Sequence, residues 1–206
     1  MAQTVKIECP HCKNESSRTP LSSINIDRTP EMRAQVQDLS CFRWRCPVCG
    51  ATSLVMDPCL YHDLANQFMV WLREDTPERA DFDPLAGYTL RWVVDFNAFR
   101  EKINVLERGL DDRAVEIVKY LLLAQLSRDL DVVELLFHDL NERTAEFRFV
   151  AVLSDGVEQY ISVPGATYQK IVQDVQERLF TSARDFVKID LEWAKEALEL
   201  LYSTAQ

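Results

Sequence analysis

Short blocks of apolar and polar residues follow one another along this chain, and each block predicts an element. Val5-Lys6-Ile7 and residues 21–26 (LSSINI) read as two short strands. Thr29-Pro30 then opens a short helix, with Thr29 as N-cap and Pro30 at the first helical position. Met32, Val36 and Leu39 supply its single apolar face. Residues 41–45 and 52–56 read as two more strands. Alternation in the first of them places Phe42 and Trp44 on one face, Arg43 and Arg45 on the other. Residues 67–72 (QFMVWL) form a strongly strand-like run. Residues 73–87 carry Pro77, Pro84, Gly87 and five acidic side chains, the composition of an exposed loop.

The second half changes period. Leu90, Trp92 and Val94 alternate in a strand over residues 88–96, and Asn97 is placed to cap a helix striped by Phe99, Ile103 and Leu106. Gly109 closes that helix as a left-handed cap. Asp111 or Asp112 caps the next, which runs to about Ser127. Its many apolar residues (Val115, Ile117, Val118, Leu121, Leu122, Leu123, Leu126) make it the expected central buried helix. Strands over 132–138 and 145–153 flank the turn Asn141-Glu142-Arg143-Thr144. Asp155-Gly156 is a hairpin turn into a strand with Val157, Ile161 and Val163 on alternating positions. Tyr168, Ile171, Val172, Val175 and Leu179 mark an amphipathic helix, and Asp190 caps a last one through Tyr202. The expected fold is therefore α+β, with a module at residues 1–72 and a sheet-and-helix body at 73–206 that divides again near residue 129.

Two matched cysteine pairs organise the first module: Cys9-Pro10-His11-Cys12 and Cys46-Pro47-Val48-Cys49-Gly50. A two-residue gap lets both thiolates of a tight turn face one ion, and two such turns supply four sulfurs in a tetrahedron. Proline after each first cysteine presets φ. Gly50 permits a positive φ, whereas the first pair has Lys13 in that place. Disulfides and a redox dithiol are the competing readings. The first is uncommon in reducing compartments, and the second calls for one C-x-x-C in a βαβ setting. The spacing thus predicts one structural Zn²⁺ per chain held by Cys9, Cys12, Cys46 and Cys49. Cys41 and Cys59 have no partner pair and read as small buried residues, and His11 as a surface side chain.

Charge and length narrow the function. The chain's 206 residues can bury a real core, and 47% hydrophobic content marks a globular protein. No apolar run reaches membrane-spanning length, and the N-terminal residues lack an apolar signal core, which predicts a cytoplasmic protein. The net charge is −10. Residues 1–56 hold seven Lys/Arg against five Asp/Glu, and the remainder sixteen against twenty-eight. Nucleic-acid binding needs clustered cations. Only Arg43 and Arg45, helped by Arg18 or Lys13, offer them.

The motifs C-P-x-C, S-S-I-N, C-P-x-C-G, D-P-x-L-Y-H-D and F-M-x-W-L occur in this order, and Leu110-Asp111-Asp112-Arg113 continues the series. Together they resemble the CpXC domain family of bacteria and archaea over roughly residues 5–128. The resemblance implies a zinc-ribbon-like N-terminal part with the four cysteines as its site residues. It attaches no role to Tyr61-His62-Asp63 and no function to the whole.

Three functions fit. The first is a zinc-stabilised binding or adaptor protein whose partner is a protein with a basic patch. The second is nucleic-acid binding through the ribbon. The third is an enzyme with a site near His62, in Tyr61-His62-Asp63, or less simply at Asp111-Asp112. Sequence neighbours on a strand face opposite sides, so His62 and Asp63 do not make a dyad by adjacency. Capping accounts for the two aspartates. No phosphate-binding glycine loop, nucleophile elbow or second metal motif is present in the sequence.

Overall fold

A computed structural model describes residues 4–77, 87–179 and 185–203. It is mixed α+β, and the chain divides into two compact units between Arg100 and Glu101.

The first unit contains two hairpins and one sheet. Strands β1 (Val5–Glu8) and β2 (Glu15–Arg18) pair antiparallel around the first cysteine turn. Strands β4 (Arg43–Arg45) and β5 (Thr52–Leu54) do the same around the second. Strand β2 reads ESSR and carries no hydrophobic signal, so periodicity misses it. Between the hairpins lie β3 (Ser23–Asn25) and helix α1 (Met32–Gln37). Thr29 is not the cap of α1. The helix starts later, at Met32, and the Thr29 hydroxyl instead donates to the Asn25 carbonyl at 2.8 Å in the turn leading in. Cys41 does not begin a strand either. It sits in a 3-10 turn at Ser40–Phe42 that buries Phe42 before β4 starts.

Strands β6 (Cys59–Asp63), β7 (Phe68–Leu72) and β8 (Thr89–Val93) join β3 in a sheet ordered β3-β6-β7-β8. The β6–β7 pair is antiparallel and both outer pairs are parallel. One face of this sheet is closed: Cys59, Tyr61, Phe68, Val70 and Leu72 are all buried. Tyr61 stacks on Phe68 at 5.9 Å and meets Phe99 edge-on at 6.3 Å, and Phe42 lies 4.9 Å from Phe96. Such aromatic contacts add to the area they bury. The expected loop over residues 73–87 falls for the most part (78–86) outside the described residues.

Helix α2 (Phe96–Glu107) carries the division between the units. Its cap is Asp95, not Asn97: the Asp95 carboxylate accepts the Ala98 N–H at 2.8 Å. The expected stripe is buried, with Phe99, Ile103 and Leu106 at most 8% exposed. Gly109 ends the helix at φ +66°. The Leu110 N–H reaches back to the Val105 carbonyl, the long bond of a Schellman cap.

The second unit centres on α3 (Asp112–Leu126), which packs on α4 (Gly165–Arg178), α5 (Leu191–Ser203) and β9 (Val132–Asn141). Asp111 caps α3 through the Arg113 N–H. Burial is confined to the first half of α3, Asp112 to Lys119, and Leu121 is exposed. Strands β9, β10 (Glu146–Leu153) and β11 (Glu158–Pro164) form an antiparallel meander ordered β11-β10-β9. Leu135, Phe137, Phe147, Phe149 and Ala151 turn inward from it to meet Val115, Val118, Tyr168, Val175, Ala194 and Ala197. Asp190 caps α5 through the Trp193 N–H at 3.0 Å. No helix among the described residues is long and apolar enough to cross a membrane.

Candidate metal centre

Each cysteine pair sits in a turn whose ends are the two strands of a short hairpin. In the first turn the Lys13 N–H donates to the Cys9 carbonyl at 2.9 Å, and the Cys9 N–H donates to the Asn14 carbonyl at 3.0 Å. In the second the Gly50 N–H donates to the Cys46 carbonyl at 3.0 Å, and the Cys46 N–H to the Ala51 carbonyl at 2.8 Å. The two turns are one motif used twice. Both need a left-handed residue in the same place, Lys13 at φ +61° and Gly50 at φ +75°. The departure at Lys13 is thus one of residue type only. For an L side chain that backbone costs roughly 1–2 kcal/mol. Lys13→Gly is expected to raise thermal stability of the N-terminal unit modestly, and Gly50→Ala to lower it by roughly 1–2 kcal/mol. Equal melting temperatures for the two variants would refute the shared geometry.

The four Sγ atoms lie within 4.8 Å of one another. Cys9 Sγ is 3.7 Å from Cys49 Sγ, and Cys12 Sγ is 3.7 Å from Cys46 Sγ. Sulfurs about 2.3 Å from a central ion at the corners of a tetrahedron stand about 3.8 Å apart, so the spacing fits a metal of zinc's size. Cys9 and Cys46 are buried, Cys12 half-buried and Cys49 exposed. The backbone begins the ionisation such a site requires. The Asn14 N–H, with the Asn14 side chain, brings the Cys12 thiol down to about 6. The Cys49 N–H, helped by that of Val48, lowers Cys46. At Cys49 the Ala51 N–H pulls the same way, but lost water and the three neighbouring sulfurs win and push it up to about 12. Four thiolates this close repel one another, and a divalent cation relieves the repulsion.

The other candidates are placed elsewhere. Cys59 is fully buried in β6, and burial pushes its thiol up to about 12. Cys41 donates to the Gln35 carbonyl at 3.3 Å, and burial pushes it up to about 11. His11 is exposed. Tyr61-His62-Asp63 divides between the two faces of β6. Tyr61 is in the core. Asp63, fully buried, accepts the Asn66 N–H at 2.9 Å and the Asn66 amide at 2.7 Å, and pairs with Arg33 at 3.4 Å. His62 faces the other way, with Nε2 3.1 Å from the Tyr88 hydroxyl. Asp111 is bound to Arg113, while Asp112 is buried against Lys102 at 3.1 Å. His138 meets Tyr160 edge-on at 5.2 Å.

Of the basic residues, Arg43 and Arg45 are exposed on one face of β4, as alternation predicts. Arg18 is engaged with both oxygens of Asp57, and Lys13 lies 3.6 Å from Glu8. The Arg18–Asp57 pair joins residues 39 apart and has no signature in the local sequence.

Paired C-P-x-C turns on two hairpins, with their four sulfurs converged, define a protein built on a four-cysteine centre able to hold a metal ion. The CpXC protein family matches residues 7–119, more than half of the chain, and the protein belongs to that family. No curated protein and no solved structure matches the chain.

Proposed function

We propose that this is a zinc-stabilised binding protein, an adaptor in which Cys9, Cys12, Cys46 and Cys49 hold one structural Zn²⁺ and whose partner is another protein. The observation that carries the reading is the convergence of four sulfurs, which fill all four positions around a tetrahedral ion and leave none for water or substrate. The residues best suited to catalysis have structural partners: Asp63 with Asn66 and Arg33, His62 with Tyr88, Asp111 with Arg113. A net charge of −10 favours a partner with a basic surface. Zinc held by thiolates suits a reducing compartment, consistent with a cytoplasmic location.

Nucleic-acid binding has less support, because Arg18 and Lys13 are spent on Asp57 and Glu8, which leaves Arg43 and Arg45. Zinc-loaded protein used as bait is expected to retain a defined protein partner at low salt and to release it as salt rises. Retention of no protein at any salt concentration, with DNA or RNA held instead, would replace this reading by the nucleic-acid one.

A further inference from the structure

The meander of β9, β10 and β11 has two edges, and they are finished differently. Along β9 the Phe137 N–H donates to Glu101, and the His138 carbonyl accepts the Asn104 amide at 2.9 Å, so side chains of α2 close that edge. Along β11 nothing among the described residues does the same. The Leu153 N–H donates to the Val157 carbonyl at 2.9 Å, which turns Val157 toward β10. Alternation along the β10–β11 register turns Gln159, Ile161 and Val163 the same way. The backbone N–H and C=O groups of Glu158, Tyr160 and Ser162 therefore point outward, with no hydrogen-bond partner among the described residues.

A bare edge invites another strand, and proteins blunt such edges with lysine, an internal proline, a bulge or a very short strand. Strand β11 uses none of these. It runs for seven residues, carries no basic residue, keeps its one proline at the last position and pairs with β10 without a register shift. Tyr160, on its solvent face, is 60% exposed.

We propose that β11 is a dimerisation edge, on which β11 of a second copy of this chain pairs antiparallel to make a six-stranded sheet. The strand is complementary to itself. A two-fold register centred on Ile161 sets Tyr160 opposite Ser162 and Glu158 opposite Pro164, in both directions. The residues so opposed are those whose backbone groups point outward. No like charges meet, because Glu158 is the one charged residue of the strand. The two Tyr160 rings stand diagonal to each other, a separation that aromatic side chains span. Each Glu158 comes beside Pro164 of the other copy, the residue that opens α4. Helix α4 has no side-chain cap and no acidic residue in its first turn. A carboxylate brought there meets the positive end of the helix dipole, twice in each dimer. That charge fit favours a second copy over an unrelated strand.

Sedimentation equilibrium of the full chain is expected to show twice the chain mass as concentration rises. Hydrogen exchange on the same samples is expected to slow at Tyr160 and Ser162 in step with the dimer. Tyr160→Pro removes one outward donor from each copy and is expected to weaken the dimer roughly tenfold or more. Ser162→Glu keeps every backbone group and sets a carboxylate diagonal to Glu158 of the other copy, so it also weakens the dimer. Exchange at Phe149 and Ala151, whose amides face β11, reports that the sheet of each variant is intact. A chain that stays monomeric to millimolar concentration overturns the proposal, and amides slowed only by a different bound protein would give the edge to that protein instead. A dimer in which Tyr160 and Ser162 exchange as fast as in the monomer also overturns it, as does a dimer that Ser162→Glu leaves equally strong.

Discussion

A Cys46→Ser, Cys49→Ser variant is expected to lose its metal and, with it, the two N-terminal hairpins. The hairpins cannot stand on burial alone. Strands β1 and β2 have four residues each and β4 and β5 three, and isolated two-stranded hairpins are marginal in water. Within the turns the buried side chains are Cys9 and Cys46, two of the four candidate ligands. A structural zinc centre supplies an apparent ~10–16 kcal/mol in small metal-folded domains, so the proposed ion would stand in for the core these hairpins lack. The loss should stop short of the four-stranded sheet, because Ile24, Tyr61, Phe68, Val70, Leu72 and Phe99 form a core that contains no cysteine ligand. Metal analysis, with hydrogen exchange resolved along the chain, tests both halves of this expectation. One zinc per wild-type chain and none in the variant, with exchange collapsing at residues 5–18 and 43–54, is the expected outcome. Metal-free protein with protected hairpins would show that the cysteines are free thiols and bring redox chemistry forward. One iron per chain would keep the structural role and change the ion.

How far the sequence could be read depended on whether a local pattern carried the information. The cysteine turns were fully legible, because ligand spacing and turn geometry lie within a handful of adjacent residues. Even the exception at Lys13 marked the position where the structure has a left-handed residue. The helices and the meander were legible from period and caps, as at Asp111, Asp190 and Gly109. Two caps fall elsewhere than the local pattern suggests, Thr29 before α1 and Asn97 at α2. Asp95 and Asn97 both suit the start of α2, and only the backbone path decides for Asp95. Strand β2 was missed because its ESSR sequence earns its place by pairing residue for residue with β1. The buried charges of α3 are masked in the sequence by its many apolar residues. Asp112, Glu116 and Lys119 recur at helical spacing beside Val115 and Val118, and that was the available signal. A helix enclosed over that stretch cannot turn those charges to water, so it must pair them.

Lys119→Met is expected to be the most destabilising single substitution in the second unit. The Lys119 ammonium lies 2.7 Å from Glu101 and 3.0 Å from Glu116, and all three side chains are at most 8% exposed. The two carboxylates oppose the loss of water that burial imposes on Lys119 and hold its pKa above the ordinary lysine value. Methionine fills the space and removes the charge, leaving Glu101 with the Phe137 N–H and Glu116 with the more distant Lys102 ammonium at 3.8 Å. Breaking one partner out of a buried network costs roughly 3–5 kcal/mol, a large share of the ~5–15 kcal/mol that holds a domain folded. Lys6→Met supplies the comparison within the same chain. Lys6 lies 3.6 Å from Glu15, but both side chains are mostly exposed, and such pairs contribute about 0–1 kcal/mol. Urea unfolding of the two variants separates the cases. A large fall in midpoint for Lys119→Met beside almost none for Lys6→Met is the expected result, and equal small shifts would mean that water reaches the network. Exchanging Glu101, Lys102, Asp112, Glu116 and Lys119, which are joined by ion pairs, together for apolar residues of similar volume should cost far less than Lys119→Met alone, since that removes the burdens of burial along with the attractions. The comparison separates what one lysine neutralises from what the network contributes as a whole. A cheap fivefold exchange would show that these charges add little net stability and act in fixing how α2 and α3 align.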